Sequence, residues 1–115
     1  MRYKIYDITQ EYATDADSGQ QLYDLIHPQL IADNLVELDF TGVTIYASAF
    51  FNFAIGQLLK DISPDKLNTL LKIPELDPDA HSILKRVIDN AKRYYSDPQY
   101  QNAVDTVLEE YAASF

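Results

Sequence analysis

The segment that most constrains the fold is residues 35–40, in which apolar and polar side chains alternate as Leu-Val-Glu-Leu-Asp-Phe. Val36, Leu38 and Phe40 lie on one face of an extended chain, because successive side chains of a strand point to opposite sides. Thr41-Gly42 ends the run, and residues 48–62 then carry apolar side chains at helical spacing. A strand followed closely by an amphipathic helix is a building unit of α/β domains.

The rest of the chain continues this alternation of strands and helices. Further strands are predicted at residues 3–8, 11–13 and 69–73. Helices are predicted to begin at Ser18, Ser48, Asp77 and Asp97. Pro28 lies inside the first of these helices and predicts a kink or break near His27. The order implies an α/β fold, with a small, mostly parallel or mixed β-sheet of about four strands and helices packed on it.

Length, charge and cysteine content exclude several classes of protein. The 115 residues support one domain, and 18 acidic against 9 basic side chains give a net charge of −9. This balance argues against a nucleic-acid partner, because phosphates are neutralised by Lys and Arg. No apolar run approaches the ~20 residues of a membrane span. The absence of cysteine excludes disulfides, thiolate zinc sites and a Cys nucleophile, and it fits the cytoplasm, where we expect this protein.

Residues 38–50 carry a resemblance to a known family. They read Leu-Asp-Phe-Thr-Gly-Val-Thr-Ile-Tyr-Ala-Ser-Ala-Phe and resemble the signature of STAS domains, the sulphate-transporter and anti-sigma-factor-antagonist modules. The chain looks most like the STAS-like branch of unknown function, which typically has a Leu-Asp-Phe-x-Gly-Val strand and a glycine early in the preceding helix, where Gly19 lies here. The resemblance implies a STAS-like α/β domain over residues 1–97, with the amphipathic C-terminal helix over 98–115 as an addition.

The resemblance also implies a function. Antagonists of this kind carry Asp-Ser-Ser-Gly at the helix start, and a partner kinase phosphorylates the first Ser, which Ser48 matches by position. Ala47, Ala49 and Phe50 stand where that motif has Asp, Ser and Gly. We therefore expect a non-enzymatic, regulatory protein-interaction module whose partner is a kinase-like ATPase or another regulatory protein, with Ser48 as its switch.

Four residues are candidates for partner binding or phosphorylation, and each has a structural alternative. Ser48 is either the modified residue or only a helix cap. Asp39 marks a strand end, where α/β folds place their sites, or is a buried acceptor for neighbouring backbone N–H groups. Phe50 and Phe53 widen the apolar arc of the helix, which is then either enclosed in the core or covered by a partner.

A second candidate surface is a basic strip on the helix after Pro78. Lys85, Arg86, Lys92 and Arg93 recur at i, i+1, i+7 and i+8. They form either a contact for an acidic partner or phosphate, or an ordinary solvated helix face. His27 and His81 lack ligand spacing and are expected at the surface, so we predict no metal and no cofactor.

Two alternative functions remain open. The C-terminal helix carries Tyr100, Val104, Val107, Leu108 and Tyr111 on one face. This face packs either on the domain or at an oligomer interface, which allows a homodimer and a structural role. A small nucleotide- or metabolite-binding protein, or an enzyme that uses Asp39, Ser48 and Lys72 at strand ends, is the less favoured alternative, because no known catalytic motif is present.

Overall fold

Strands and helices alternate along residues 1–96, the part of the chain that the computed structural model describes. The elements in chain order are β1 (Arg2–Lys4), α1 (Tyr6–Thr9), β2 (Tyr12–Ala13), α2 (Ala16–Ile31), β3 (Val36–Asp39), β4 (Ile45–Tyr46), α3 (Ser48–Ala54), a 3₁₀ helix (Gly56–Lys60), α4 (Pro64–Leu70), β5 (Leu71–Lys72) and α5 (Pro78–Ser96). The predicted α/β class is confirmed.

The strands form two small parallel sheets. In the larger sheet β3 lies between β1 and β5, with Tyr3 opposite Leu38 and Val36 opposite Leu71. In the smaller sheet β2 pairs with β4, and Tyr12 lies opposite Ile45. The predicted alternation of residues 35–40 is confirmed. Val36, Leu38 and Phe40 are buried on one face, while Glu37 and Asp39 are partly exposed.

The core lies between the larger sheet and the helices. Phe50 and Phe51 are fully buried and meet edge to face, with ring centroids 5.5 Å apart. Phe51 also contacts Phe40 of the strand end at 5.9 Å between ring centroids. α2 packs closely on α3 because Gly19 has no side chain at the crossing, where a Cβ would lie 2.5 Å from the backbone oxygen of Phe50. The close packing of α2 therefore fixes the position of α3, the helix that follows β4.

Two predictions for the N-terminal half are wrong in detail. The first strand ends at Lys4 and not at residue 8, because Ile5 turns inward, is fully buried and leads into α1. The helix α2 is capped by Asp15, whose side chain accepts the backbone N–H of Ser18, and not by Ser18 itself. It also continues through Pro28 to Ile31 without a break.

Two predictions for the segment after β4 are also corrected. Ala47 is the N-cap of α3, so Ser48 is the first helical residue and not the cap. The helix ends at Ala54 and a 3₁₀ helix continues it. Ser63-Pro64 starts α4 instead of a turn, because the Ser63 hydroxyl accepts the N–H of Lys66 and proline fits the first helical position. The strand predicted at 69–73 is thereby reduced to Leu71–Lys72.

The helix predicted over 98–115, and with it the domain boundary at 97, lie outside the described residues. Within residues 1–96, none of the helices combines the length and the apolar character that crossing a membrane requires.

Candidate functional site

A polar crevice lies at the carboxyl ends of β3 and β5, where open α/β sheets commonly bind their ligands. Its volume is about 440 Å³. Its walls are formed by Arg2, Glu37, Asp39, Phe40, Thr41, Val43, Tyr46, Pro74, Glu75 and Asp77. Four carboxylates and one guanidinium make this the acidic side of the sheet. Within residues 1–96, however, no group of three or more His, Asp and Glu side chains is placed to hold a metal ion.

Asp39 is held rigidly at the end of β3. One carboxylate oxygen accepts the Thr41 hydroxyl at 2.6 Å and the Thr41 backbone N–H at 2.9 Å. The other accepts Arg2 Nη2 at 2.8 Å, and the side chain is only 13% exposed. The Thr41 hydroxyl and N–H, helped by the Arg2 guanidinium, lower the pKa of Asp39 from 3.8 to about 2. Asp39 is therefore an ionised acceptor that fixes the turn after β3.

The turn after β3 directs the chain into the smaller sheet. Gly42 has a φ of 91°, a conformation that side chains disfavour, and the ring of Tyr6 packs against it. The backbone oxygen of Glu11 accepts the N–H groups of both Thr44 and Ile45. β4 is thereby placed beside β2, immediately before α3.

The two residues of β4 face opposite ways. Tyr46 points inward, where its hydroxyl donates to the Val43 carbonyl at 2.8 Å and its ring stacks on Phe51. Burial raises the pKa of the Tyr46 hydroxyl. Ile45 points outward beside Tyr12, and these side chains are 50% and 53% exposed. A pair of large apolar side chains is therefore exposed side by side on the smaller sheet.

The exposed side of α3 begins three residues after Ile45. Ser48, Ala49, Asn52 and Phe53 are all exposed, at the spacing of one helix face. Ser48 accepts and donates no side-chain hydrogen bond within the described residues, and α3 has no side-chain cap. Phe53 is 42% exposed, whereas Phe50 is fully buried in the core. Phe50 is thus unable to contact a partner, which corrects its assignment as a partner-binding candidate.

The basic strip lies elsewhere. Lys85, Arg86, Lys92 and Arg93 are exposed on α5, which packs on α3 and the 3₁₀ helix. Lys92 borders an apolar groove between α5 and the α4–β5 segment, and none of the four residues lines the acidic crevice. The structure therefore does not bring the strip and Asp39 together into one site.

Sequence reasoning missed three features of this surface. Arg2 reaches Asp39 only because β1 and β3 are parallel neighbours in register, and strand pairing is not visible in a single sequence. The Tyr12–Ile45 pair depends on the β2–β4 pairing in the same way. His27 was expected to be an ordinary surface histidine. It is half-buried, stacks on Tyr23 and lies 2.8 Å from an Asp61 carboxylate oxygen, whereas His81 is exposed.

Comparison with known protein families identifies a match over the central part of the chain. A family model described as a STAS-like domain of unknown function (DUF4325) matches residues 18–81. The match spans more than half of the chain and contains Gly19, Asp39 and Ser48. No curated protein and no solved structure matches.

Proposed function

The chain belongs to the family of STAS-like domains of unknown function, and we propose that it acts as a non-enzymatic, regulatory protein-interaction module. Its docking face consists of Tyr12, Ile45, Ser48 and Phe53, all exposed. The observation that carries the proposal is the exposed Tyr12–Ile45 pair, which leads within three residues to the exposed Ser48. The partner is a protein, and a kinase-like ATPase or a second regulatory protein fits this role.

The apolar pair supports a protein partner because it concentrates surface that water solvates poorly. Single exposed apolar side chains are common and need no explanation. Here two large side chains are cross-strand neighbours, and the ring of Phe53 is exposed on the helix that follows. Tyrosine and phenylalanine are enriched in the centres of protein interfaces, where a ring gives a large contact area at small entropic cost. The partner is expected to present an apolar patch.

Ser48 supports a switch because its hydroxyl is exposed and unused. A phosphate there would add a charge of about −1.5 to −2 at pH 7, three residues after Ile45 of the apolar pair. Such a charge disfavours an apolar contact, since it would have to be desolvated on binding. Phosphorylation of Ser48 is therefore expected to release the partner.

A non-catalytic role is supported by the way the candidate side chains are used. Asp39 is engaged by Arg2 and Thr41, and the Lys72 ammonium donates to the backbone oxygen of Asn68. Within residues 1–96, no hydrogen bond links Asp39, Ser48 and Lys72. A general base beside the Ser48 hydroxyl would need to lie within hydrogen-bond reach. A cytoplasmic location is part of the proposal and fits the absence of cysteine.

The switch is tested by partner recovery from native lysate on immobilised protein. Wild type and Ser48→Ala are expected to recover the same partner, and Ser48→Asp about tenfold less, which corresponds to ~1.4 kcal/mol. Ser82→Asp is the matched control, because Ser82 is also exposed, lies on a helix and is outside the docking face. Ile45→Ala is expected to reduce recovery without changing any charge.

Each result of this experiment bears on the proposal. Equal recovery by wild type, Ser48→Asp and Ile45→Ala would contradict the docking face, as would the absence of any specific partner on the wild type. A loss with Ser82→Asp as large as that with Ser48→Asp would show that charge alone, and not its position, weakens binding.

A further inference from the structure

The docking face belongs to a part of the chain that has no Lys or Arg. Between Lys4 and Lys60 the sequence contains eight acidic residues and neither of the two strongly basic ones. The elements of the docking face, β2, β4 and α3, fall within this interval, and so does α2, which packs on α3. His27, the histidine of this interval, lies against the Asp61 carboxylate. The charges that these elements carry around the docking face are therefore negative.

One of these acidic residues adjoins the apolar pair. Glu11 directly precedes Tyr12 and is exposed, and its backbone oxygen accepts the N–H of Ile45 at 3.1 Å. The backbone oxygen of Ala13 accepts the N–H of Ala47 at 3.0 Å. Since β2 and β4 are parallel, α2 and α3 both start from this end of the smaller sheet.

Two more acidic residues lie on α2, on the side that meets Phe53. Asp17 and Asp24 are both exposed, and their spacing of seven places them on one face of the helix, two turns apart. Gln20 lies between them, donates to the Asp24 carboxylate at 3.0 Å and accepts the side-chain amide of Gln57 at 2.8 Å. Gln57 also donates to the backbone oxygen of Phe53 at 2.8 Å. These hydrogen bonds connect the acidic side of α2 to Phe53.

We call Glu11, Asp17 and Asp24 the acidic rim. All three are exposed, and within residues 1–96 none of them forms an ion pair. The basic residues that bound the interval belong to other elements, since Lys4 ends β1 of the larger sheet and Lys60 ends the 3₁₀ helix. Carboxylates around exposed apolar side chains favour a partner with positive charges, because complementary charges steer the encounter and exclude wrong partners.

The basic strip of the same chain is carried by a helix that packs elsewhere. A Cβ added at Gly56 of the 3₁₀ helix would meet the side chains of Val87 and Ala91 of α5. A Cβ added at Gly19 of α2 would instead meet Phe53 Cβ, at 3.0 Å. The rim and the strip thus belong to helices that contact different residues of the α3 segment.

We propose, on the basis of the function proposed above, that the docking face binds a basic amphipathic segment of its partner protein. Apolar side chains of that segment cover Tyr12, Ile45 and Phe53, and its Lys and Arg side chains lie opposite the acidic rim. A phosphate on Ser48 still opposes this contact. Ser48 lies between Ile45 and Phe53 in the chain, and a charge that is covered by apolar side chains loses its water. The rim carboxylates stay in water and keep their attraction.

The test uses a short fluorescent peptide of Leu and Lys whose leucines share one helix face. Its binding to the full-length chain is measured by fluorescence anisotropy at low and at high salt. Asp17→Asn with Asp24→Asn removes two rim charges and leaves the side-chain oxygens in place. Asp79→Asn with Asp89→Asn is the matched control, because it also removes one charge from the first turn of a helix and one from its middle, on α5. Ile45→Ala tests the apolar pair, and two further peptides replace Lys by Glu or Leu by Ser.

The wild type is expected to bind the Leu–Lys peptide about tenfold more tightly than either altered peptide, with an affinity that falls as salt rises. The rim pair should weaken binding about fivefold and Ile45→Ala about threefold, while the control pair changes it less than about twofold. Circular dichroism verifies that each variant is folded. The proposal is overturned if the control pair weakens binding as much as the rim pair. It is also overturned if the Ser–Lys peptide binds as tightly as the Leu–Lys peptide, because charge alone would then explain binding.

Failure of this proposal is distinguishable from failure of the proposed function. If Ile45→Ala lowers partner recovery from lysate and the rim pair does not, the docking face stands and its partner is not basic. If neither changes the recovery, the docking face itself fails. If the wild type has the molecular mass of a dimer that Ile45→Ala dissociates, a second copy covers the docking face, and the basic partner is refuted.

Discussion

At the residue scale, Asp39 explains why an acidic side chain is tolerated at the end of the central strand. Its two oxygens are satisfied by Thr41 and Arg2, and the bonds to Thr41 tie the strand to the turn that leads toward Ser48. A carboxylate that accepts several hydrogen bonds at a strand end is a structural element of the site. Asp39 therefore fixes the turn that leads toward the docking face.

The depressed pKa of Asp39 predicts a pH dependence of stability. The value falls from 3.8 to about 2 in the folded protein, so folding favours the ionised form. Its contribution is present above about pH 4 and is lost as the pH falls from about 4 to about 2. We expect Asp39→Asn to unfold at lower urea concentration than wild type at pH 7, with the difference shrinking below pH 4. A difference that stays constant from pH 7 to pH 2 would contradict this assignment.

The source of that pKa shift is testable separately. The Thr41 hydroxyl is its largest cause, so Thr41→Val is expected to raise the pKa of Asp39 toward its ordinary value. Titration of the Asp39 carboxyl by NMR measures this directly. Arg2→Gln should also raise the pKa of Asp39, because it removes the positive charge and the guanidinium hydrogen bond of Arg2.

Individual residues also show the limit of sequence reasoning about the site. Asp39 and Ser48 were found because a motif marks their positions. The sequence pattern does not show which of Phe50 and Phe53 is buried, because both fall within one broad apolar arc of the helix. Only the packing of α3 against its neighbours encloses Phe50 and leaves Phe53 exposed. The caps were misassigned for a similar reason, since Asp15 and Ser18 are both favourable caps and the chain uses the first.

At the element scale, the crossing of α2 and α3 is the contact that sets the orientation of the docking face. Gly19 permits this crossing, because a Cβ there would meet the backbone oxygen of Phe50, which is unable to rotate away. We expect Gly19→Ala to destabilise the protein by about 1–3 kcal/mol, the usual cost of overpacking a core. Urea unfolding followed by circular dichroism measures the change.

Gly56→Ala is the matched control for this prediction. Gly56 is also buried, but the nearest atom to a Cβ there would be a methyl group of Val87, at 3.3 Å, and a methyl group can shift. A smaller loss of stability is therefore expected than with Gly19→Ala. Equal losses would show that the close crossing is not what requires Gly19.

Elements were predicted correctly where local signals and packing agree, and wrongly where packing overrides them. The sequence predicts β3 because its alternation matches burial on one face. Pro28 predicts a kink or a break in α2, yet the helix continues, because Ile26 before it and Leu30 after it are both fully buried. The carbonyl that Pro28 leaves without a partner belongs to exposed Asp24, where water can satisfy it. No local pattern predicts that compensation.

At the scale of the whole molecule, the described residues contain a continuous core. Its buried side chains run from Ile5 to Val87 and join both sheets to the helices. The docking face draws on β2, β4 and α3 of this domain. All four of its residues, like the buried core, therefore lie before position 88 and apart from residues 98–115.

This separation predicts the effect of removing residues 98–115. The shortened protein is expected to unfold cooperatively in urea and to keep most of its free energy of unfolding, because the buried core from Ile5 to Val87 is retained. Leu38→Ala in the full-length chain is the comparison, since Leu38 is fully buried in the central strand and such truncations cost about 2–5 kcal/mol. The deletion of eighteen residues should thus cost less than one truncated side chain. A shortened protein that shows no cooperative transition would contradict a domain that ends near residue 97.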